Sequence, residues 1–207
     1  DETRHHFNHL VNPFQRDLPE YHRARLLRHY ARRGRRDPGM YLSFVNLSFV
    51  GDEGDVSGNV LAVPCGLADE AMAHRIVHTI GAAHAAVPWP VRVTLHPMGS
   101  GHDLWRAYMG RHRQNLIHQY HNGGLWPFVG GFWVMALAQL GQRDEARVAL
   151  QHLAEANAHG DWRFTEWFHG RTLAPMGMAG QSWNAATFLL AQRALDGGGA
   201  GWQGPPV

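Results

Sequence analysis

An all-α fold is the class that the sequence predicts, and three observations lead to it. Apolar residues recur at helical spacing, as Met72 and Ile76 do within residues 69–80. The stretches with strand-like composition, 41–50 and 91–95, are short and are predicted to form small hairpins at the edge. A chain of 207 residues, with 44% hydrophobic and 17% charged residues, is long enough for one globular domain.

The helical periodicity predicts the individual elements in chain order. Residues 21–33 place their leucines and Tyr30 on one face, with arginines around the rest. Residues 128–140 and 145–157 are separated by a short turn that contains Gly141, which predicts an antiparallel helical hairpin. The predicted helices are 21–33, 55–67, 69–80, 128–140, 145–157 and 183–195.

Composition and charge argue against several classes of protein. The formal net charge is only +2, and the arginine run at 32–36 is short, so we predict no nucleic-acid partner. No apolar stretch approaches the roughly 18 residues that cross a bilayer, so no membrane segment is predicted. The lone Cys65 cannot form an internal disulfide. A reducing compartment is therefore favoured, and the cytoplasm is the predicted location.

Histidine spacing raises a metal-binding alternative. His5 and His9, and likewise His74 and His78, are four residues apart and would share a helix face, as zinc ligands do in metalloproteases. Neither pair has the glutamate of an HExxH pattern. We therefore predict no metal and no cofactor, with these histidines on solvated helix faces.

The segment 120–133, YHNGGLWPFVGGFW, is the strongest motif. Its paired glycines permit a tight turn, Pro127 can open a helix, and Trp126 offers a flat apolar face beside the polar His121 and Asn122. A sugar has both an apolar C–H face and hydroxyl groups, so this composition fits a carbohydrate better than a phosphate. A packed turn with a structural tryptophan is the alternative.

The segment 161–170, DWRFTEWFHG, places Glu166 among aromatic residues in a loop rather than on a charged helix face. Such a setting is typical of a carboxyl group that is directed onto a bound ligand. The alternative is a buried ion pair of Glu166 with Arg163 or Arg171.

Four segments together resemble neutral and alkaline invertases and related bacterial proteins described as glycogen-debranching α-1,6-glucosidases. In chain order they are GDEGDVSGN at 51–59, LHPMGSGHDLWR at 95–106, YHNGGLWPF at 120–128, and WRFTEWFHG followed by GQSWNAATFLLA within 162–191. These families share an (α/α)6 barrel. The resemblance, which covers residues 40–195, implies that the chain supplies about half of such a barrel, with the first half absent from it.

The resemblance also implies the domain organisation. Residues 1–196 are expected to form the C-terminal part of a glycosidase catalytic domain, and 197–207, rich in Gly and Pro, a flexible tail. Asp1 is not an initiator methionine, so the start of the chain is expected to be a truncation or processing point.

The reaction implied by the resemblance is inverting hydrolysis of an α-glucosidic bond, in sucrose or an α-1,6-linked glucan, by two carboxyl groups. Glu166 takes the position of the general base in a Trp-Pro-Glu-Tyr-Tyr-Asp-Gly-like loop, although two extra residues precede it here and the Pro is lacking. The family's general acid lies in an Asp-Ser-Gly-Leu-Trp-Trp-like segment, which has no match in this chain. The acid is therefore expected in the missing N-terminal half. Asp55 and Asp103 are weaker alternatives, more typical of helix caps or of a hydroxyl ligand.

A substrate cleft is expected around Glu166. The predicted substrate-binding side chains are those of Asp55, His121, Asn122, Trp126, Trp162, Trp167, Gln181 and Trp183. Trp126 and Trp167 are expected to line one cleft, so that Trp167→Ala would lower kcat/KM with only a modest loss of stability. The expected partners are an oligosaccharide or disaccharide substrate and the N-terminal half of the same barrel, and a homo-oligomer stays an open alternative. The competing function is a non-catalytic carbohydrate-binding or degenerate half-barrel.

Overall fold

The computed structural model describes Arg4 and residues 39–44 and 50–197. Within these residues the chain is helical with few strands, which confirms the all-α class. The elements are α1 Val56–Ala62, α2 Glu70–Ala82, α3 Ala107–Arg111, α4 Pro127–Gln139, α5 Arg143–Trp162, β1 Trp167–Phe168, β2 Pro175–Met176 and α6 Ser182–Leu195. The predicted helix 21–33, the arginine run 32–36, the pair His5 and His9, and residues 198–207 lie outside the described part.

The predicted helices that fall within the described residues are present, with shifts at their ends. Helix α2 begins after Asp69, whose carboxylate accepts a hydrogen bond of 2.7 Å from the Met72 backbone N. Helix α1 is shorter than predicted, because the backbone N of Leu67 and of Ala68 both donate to the Ala62 carbonyl and close a turn there. No helix in the described part is long and apolar enough to cross a membrane.

Helix α4 is the central element of the packing. It contacts α1, α5 and α6, and its buried residues lie on all sides. Two glycines permit this closeness: a Cβ added at Gly131 would lie 2.5 Å from the Cβ of Thr187 in α6, and one at Gly130 would lie 2.5 Å from the Pro90 carbonyl oxygen. Helix α5 follows α4 after a turn at Gly141, where φ is +75°, so the predicted helical hairpin is confirmed.

The prediction that residues 91–95 form a hairpin at the edge is wrong. This segment is buried and pairs with the chain on both sides: the Val93 carbonyl accepts from the Val56 backbone N, and the Val93 backbone N donates to the Gly124 carbonyl, each at 3.0 Å. Val91 and Val93 are buried, because the chain segments that pair with 91–95 cover them on both sides. In the other predicted stretch, 41–50, the described residues Ser43 and Phe44 exchange backbone hydrogen bonds with Gly51, as the open end of a hairpin does.

The pairing continues from residues 91–95 toward the strands. The Trp126 backbone N donates to the Val91 carbonyl, and Leu125 and Phe168 donate to each other's carbonyl oxygens at 2.8 Å. Strand β1 then pairs antiparallel with β2, with Trp167 opposite Met176. These bonds place the starts of α1 and α4 and the Glu166 loop at one end of the molecule.

One side of α6 leaves large apolar side chains in solvent. Trp183, Leu189 and Leu190 are exposed by 42%, 55% and 41%. Because apolar patches beyond a few hundred Å² are unusual on monomers, we expect the isolated chain to bind the dye ANS or to self-associate, measured by fluorescence and by sedimentation. Replacing Leu189 and Leu190 with Gln should reduce both signals. A monomer that melts cooperatively and does not bind ANS would contradict this expectation.

Candidate active site

A cavity of about 400 Å³ lies beside the start of α1. Its volume falls within the roughly 300 to 1,000 Å³ that is typical of small-molecule sites. It brings together three of the predicted residues, Asp55, His121 and Asn122, which come from distant parts of the chain. The complete described lining is Glu53, Asp55, Ser57, Val93, Thr94, Met98, Trp105, Tyr108, Met109, Asn115, His121 and Asn122.

Asp55 occupies the N-cap position of α1. Both of its carboxylate oxygens lie 3.2 Å from the Gly58 backbone N, which donates to them. A Cβ at Gly58 would lie 2.5 Å from Oδ2, so glycine leaves room for this close contact. Burial raises the pKa of the Asp55 carboxyl group, the hydrogen bond from Gly58 opposes that rise, and the negative charge of Glu53 adds to it.

Glu53 is a cavity residue that the sequence analysis missed. Its loop is fixed by two backbone bonds, from His96 N to the Glu53 carbonyl at 2.9 Å and from Leu95 N to the Gly54 carbonyl at 3.0 Å. Glu53 lines the same cavity as Asp55. The signal that could have found it is the Glu-Gly-Asp sequence, in which two acids flank a single glycine.

Asn122 has a different role from the predicted one. Its Oδ1 accepts from the Met98 backbone N at 2.7 Å, and its Nδ2 donates to the carbonyl oxygens of Met98 and Asn115 at 2.8 and 2.9 Å. Because both amide hydrogens are already used, Asn122 cannot donate to a substrate hydroxyl. It instead holds the 98–115 loop, which carries Trp105 and Tyr108, against the cavity.

The prediction that Trp126 presents its face to a sugar is wrong. Its side chain is 7% exposed, and the His121 ring covers it in a stacked arrangement with centroids 5.0 Å apart. The indole Nε1 donates to the Tyr120 carbonyl at 3.1 Å. Trp126 therefore supports His121, whose exposed side chain lines the cavity.

Glu166 does not line this cavity, and His121 is the lining residue on whose charge the Glu166 carboxylate acts. Loss of water around its packed ring lowers the pKa of His121, and the nearby Glu166 carboxylate opposes this effect. Tyr120 and Trp167, the neighbours of His121 and Glu166 in the chain, have ring centroids 5.8 Å apart, so the two motifs lie side by side. A neutral imidazole can donate one hydrogen bond and accept another, which suits contacts with sugar hydroxyls.

Glu166 is half-buried and is held by the opposite segment of its own hairpin. Its backbone N donates to the Met178 carbonyl at 2.8 Å, and its Oε2 accepts from the Met178 backbone N at 3.0 Å. Arg163 and Arg171 are exposed, and neither forms an ion pair with Glu166 in the described structure. The alternative of a buried ion pair is therefore wrong, and the carboxylate keeps acceptor capacity for a ligand.

Gly177 is needed for the position of this carboxylate. Its φ is +72°, and an added Cβ would collide with Glu166 Oε2. Gly180 is a matched control, since its φ is +76° but no atom lies within 4 Å of an added Cβ. Both alanine variants should lose about 1 to 2 kcal/mol of stability from backbone strain, and Gly177→Ala should lose more, because its Cβ would also lie 2.9 Å from Cδ1 and Nε1 of Trp167. Only Gly177→Ala should also lower kcat, by about tenfold or more, because it displaces Glu166. Equal kcat values in the two variants would contradict this placement.

The remaining predicted residues lie outside the cavity lining. Trp167 is 4% exposed and belongs to the hydrophobic core, so its predicted contact with substrate is wrong. Trp162 and Trp183 are exposed by 54% and 42%, and Gln181 is the N-cap residue of α6. The Gln181 backbone N donates to the Phe164 carbonyl at 3.1 Å, which joins the start of α6 to the Glu166 loop.

Across residues 39–44 and 50–197, no group of three or more His, Cys, Asp or Glu side chains is arranged to hold an ion. His74 and His78 are exposed on α2, as predicted for a solvated helix face.

The helices and short extended segments form part of an (α/α)6-barrel fold. The fold is similar to that of the GH63 mannosylglycerate hydrolase from Thermus thermophilus in complex with Tris and D-glycerate, with a TM-score of 0.55, 16% identity, and coverage of 75% of this chain and 34% of that chain. An uncharacterized conserved protein from the same organism matches with a TM-score of 0.53 and 16% identity, over 80% of this chain and 36% of that one.

The sequence profile of the family described as alkaline and neutral invertase matches residues 55–197, and the chain belongs to this family. Neutral/alkaline invertase 1, mitochondrial, from Oryza sativa subsp. japonica is 25% identical over 67% of this chain. Alkaline/neutral invertase C, mitochondrial, from Arabidopsis thaliana is 26% identical over 45% of it. The chain spans 22% and 14% of the lengths of these two relatives.

Proposed function

We propose that this chain carries the general base and one sugar-binding cavity of a glycoside hydrolase that cleaves an α-glucosidic bond, in sucrose or an α-1,6-linked glucan. The observation that carries the proposal is the setting of Glu166. Its carboxylate is half-buried, lacks an ion pair with a described cation, and acts on His121, which lines a cavity of about 400 Å³. Membership of the invertase family supports the same reaction class.

The proposed mechanism inverts the anomeric carbon. In such enzymes one carboxyl group protonates the leaving oxygen and a second removes a proton from the attacking water, with about 6.5 to 9.5 Å between them. Glu166 is assigned the second role. The bond from the Met178 backbone N fixes one of its oxygens and leaves the other to orient the water.

The general acid is proposed to come from the N-terminal half of the barrel. Asp55 is less suitable, because both of its oxygens contact the Gly58 backbone N. Asp103 is exposed and does not line the cavity. Asp55 and His121 are instead proposed to bind substrate hydroxyls, as a carboxylate acceptor and a neutral imidazole.

The cellular location is a separate proposal. We retain the cytoplasm on the basis of the lone Cys65, whose thiol is exposed. Both curated relatives have names that state a mitochondrial location, so the targeting of this chain requires its own fractionation experiment.

A substrate panel tests the proposed function. The enzyme that contains this chain should release glucose from sucrose or from an α-1,6-linked glucan, and not from the β-linked control cellobiose. Binding of saccharides without turnover of any α-glucoside would favour the alternative of a non-catalytic carbohydrate-binding protein. Turnover of cellobiose alone would contradict the assigned linkage.

A further inference from the structure

We propose that Glu53 is a specificity-determining residue of the cavity, which admits neutral saccharides and rejects those that carry a carboxylate or phosphate group. The proposal rests on the proposed function, because it takes this cavity as a place where a sugar binds.

The charged residues that line the cavity are acidic. Glu53 and Asp55 both face the cavity, and none of the described lining residues is Arg or Lys. His121 is the lining side chain that could become cationic, and loss of water around its ring lowers its pKa. A negatively charged ligand would therefore meet like charges and no counter-charge from the described lining.

Both carboxylates of the pair can accept hydrogen bonds from hydroxyl groups. The Oε2 of Glu53 is shielded from solvent and has no hydrogen-bond partner in the described structure, so a ligand in the cavity would reach the other oxygen, Oε1. The hydroxyl groups of a neutral sugar supply donors to the accessible carboxylate oxygens. A carboxylate or phosphate group supplies acceptors instead.

The rest of the lining suits a sugar ring rather than a small cation. Trp105 and Tyr108 contribute aromatic surface to the same cavity. Aromatic faces pack well against the apolar C–H face of a pyranose, while the carboxylates receive its hydroxyls. The combination selects for a ring with hydroxyl groups and against one with a negative substituent.

A matched pair of ligands tests this selectivity. Methyl α-D-glucopyranoside and methyl α-D-glucuronopyranoside differ only in a carboxylate that replaces a hydroxymethyl group. In ligand-observed NMR titrations of the enzyme that contains this chain, near neutral pH, we expect the neutral ligand to bind at least about tenfold more tightly. Glu53→Gln should reduce this preference to within about threefold, because the amide keeps the shape of the side chain and removes its charge.

Asp52→Asn is the matched control, since it removes the same charge one residue away from a lining position. Its ligand preference should equal that of the wild type. Equal affinities of the two ligands for the wild type, or an unchanged preference in Glu53→Gln, overturn the role of Glu53 and leave the proposed function standing. Absence of binding by either ligand overturns both proposals.

A cationic ligand tests the charge selectivity of the cavity in the wild-type protein. This test does not depend on whether Glu53→Gln folds. Methyl 6-amino-6-deoxy-α-D-glucopyranoside should bind at least as tightly as the neutral glucoside. Weaker binding of this amine than of the glucuronide would overturn the proposal.

Discussion

Replacing Glu166 with Gln is expected to lower kcat by about 10² to 10⁴ in the enzyme that contains this chain, because an amide cannot accept the proton of the attacking water. Glutamine has nearly the same shape, and its carbonyl oxygen can still accept from the Met178 backbone N. The substrate should therefore bind almost as before, with KM changed by less than about threefold. Steady-state kinetics on the substrate that the panel identifies provide the measurement.

The matched control for this variant is Glu155→Gln, which makes the same change on the exposed surface of α5. We expect its kcat to equal that of the wild type. A normal kcat in Glu166→Gln would remove Glu166 from the reaction, and an equal loss in both variants would point to a general effect on folding.

Replacing Trp167 with Ala is expected to lower the free energy of unfolding by about 3 to 5 kcal/mol, as for other large-to-small changes in a core. The indole is 4% exposed, and its centroid lies 5.8 Å from that of Tyr120 in an edge contact. A Cβ at Gly124 would lie 3.1 Å from the same indole, so the surrounding backbone packs tightly against it. Urea denaturation of the isolated chain measures the loss.

Trp162→Ala provides the comparison, because that side chain is 54% exposed. It should cost less than about 1 kcal/mol. If Trp167→Ala keeps the stability of the wild type but lowers kcat/KM tenfold, Trp167 borders the substrate and the core placement fails.

Helical periodicity predicts the amphipathic helices. The features that it does not predict are those that depend on tertiary contacts. Helix α2 follows from regularly spaced buried positions and the Asp69 cap, both of which are local signals. Local signals do not predict the break near the end of α5. There His159 has an extended backbone, and Asp161 has a φ of +66° although it is not a glycine. Such backbone is stable only when the surrounding structure supports it, so no local pattern predicts it.

The extended segment 91–95 shows a second limit of local reasoning. Alternating valines indicate a strand, but they do not identify its neighbours. The structure pairs Val93 of this segment with Val56, which lies 37 positions earlier, and with Gly124, which lies 31 positions later. Those long-range bonds place Asp55 and His121 beside the same cavity.

The sequence predicts which loops form the candidate site, but it predicts the roles of the individual side chains less well. The motifs around His121 and Glu166 lie next to each other, since the rings of Tyr120 and Trp167 have centroids 5.8 Å apart. Composition could not distinguish a tryptophan that faces a ligand from one that supports a neighbour, and Trp126 is of the second kind. Glu53 was missed because its role depends on a cavity whose other wall comes from residues 98–115.

The anomeric configuration of the first glucose released tests the central claim most directly. Proton NMR spectra recorded within minutes of adding the enzyme to its α-glucoside distinguish the two anomers before mutarotation mixes them. The account predicts β-glucose first, because a water activated by Glu166 attacks the face opposite the leaving group. Initial release of α-glucose would indicate retention and would contradict the role of Glu166 as general base of an inverting hydrolase.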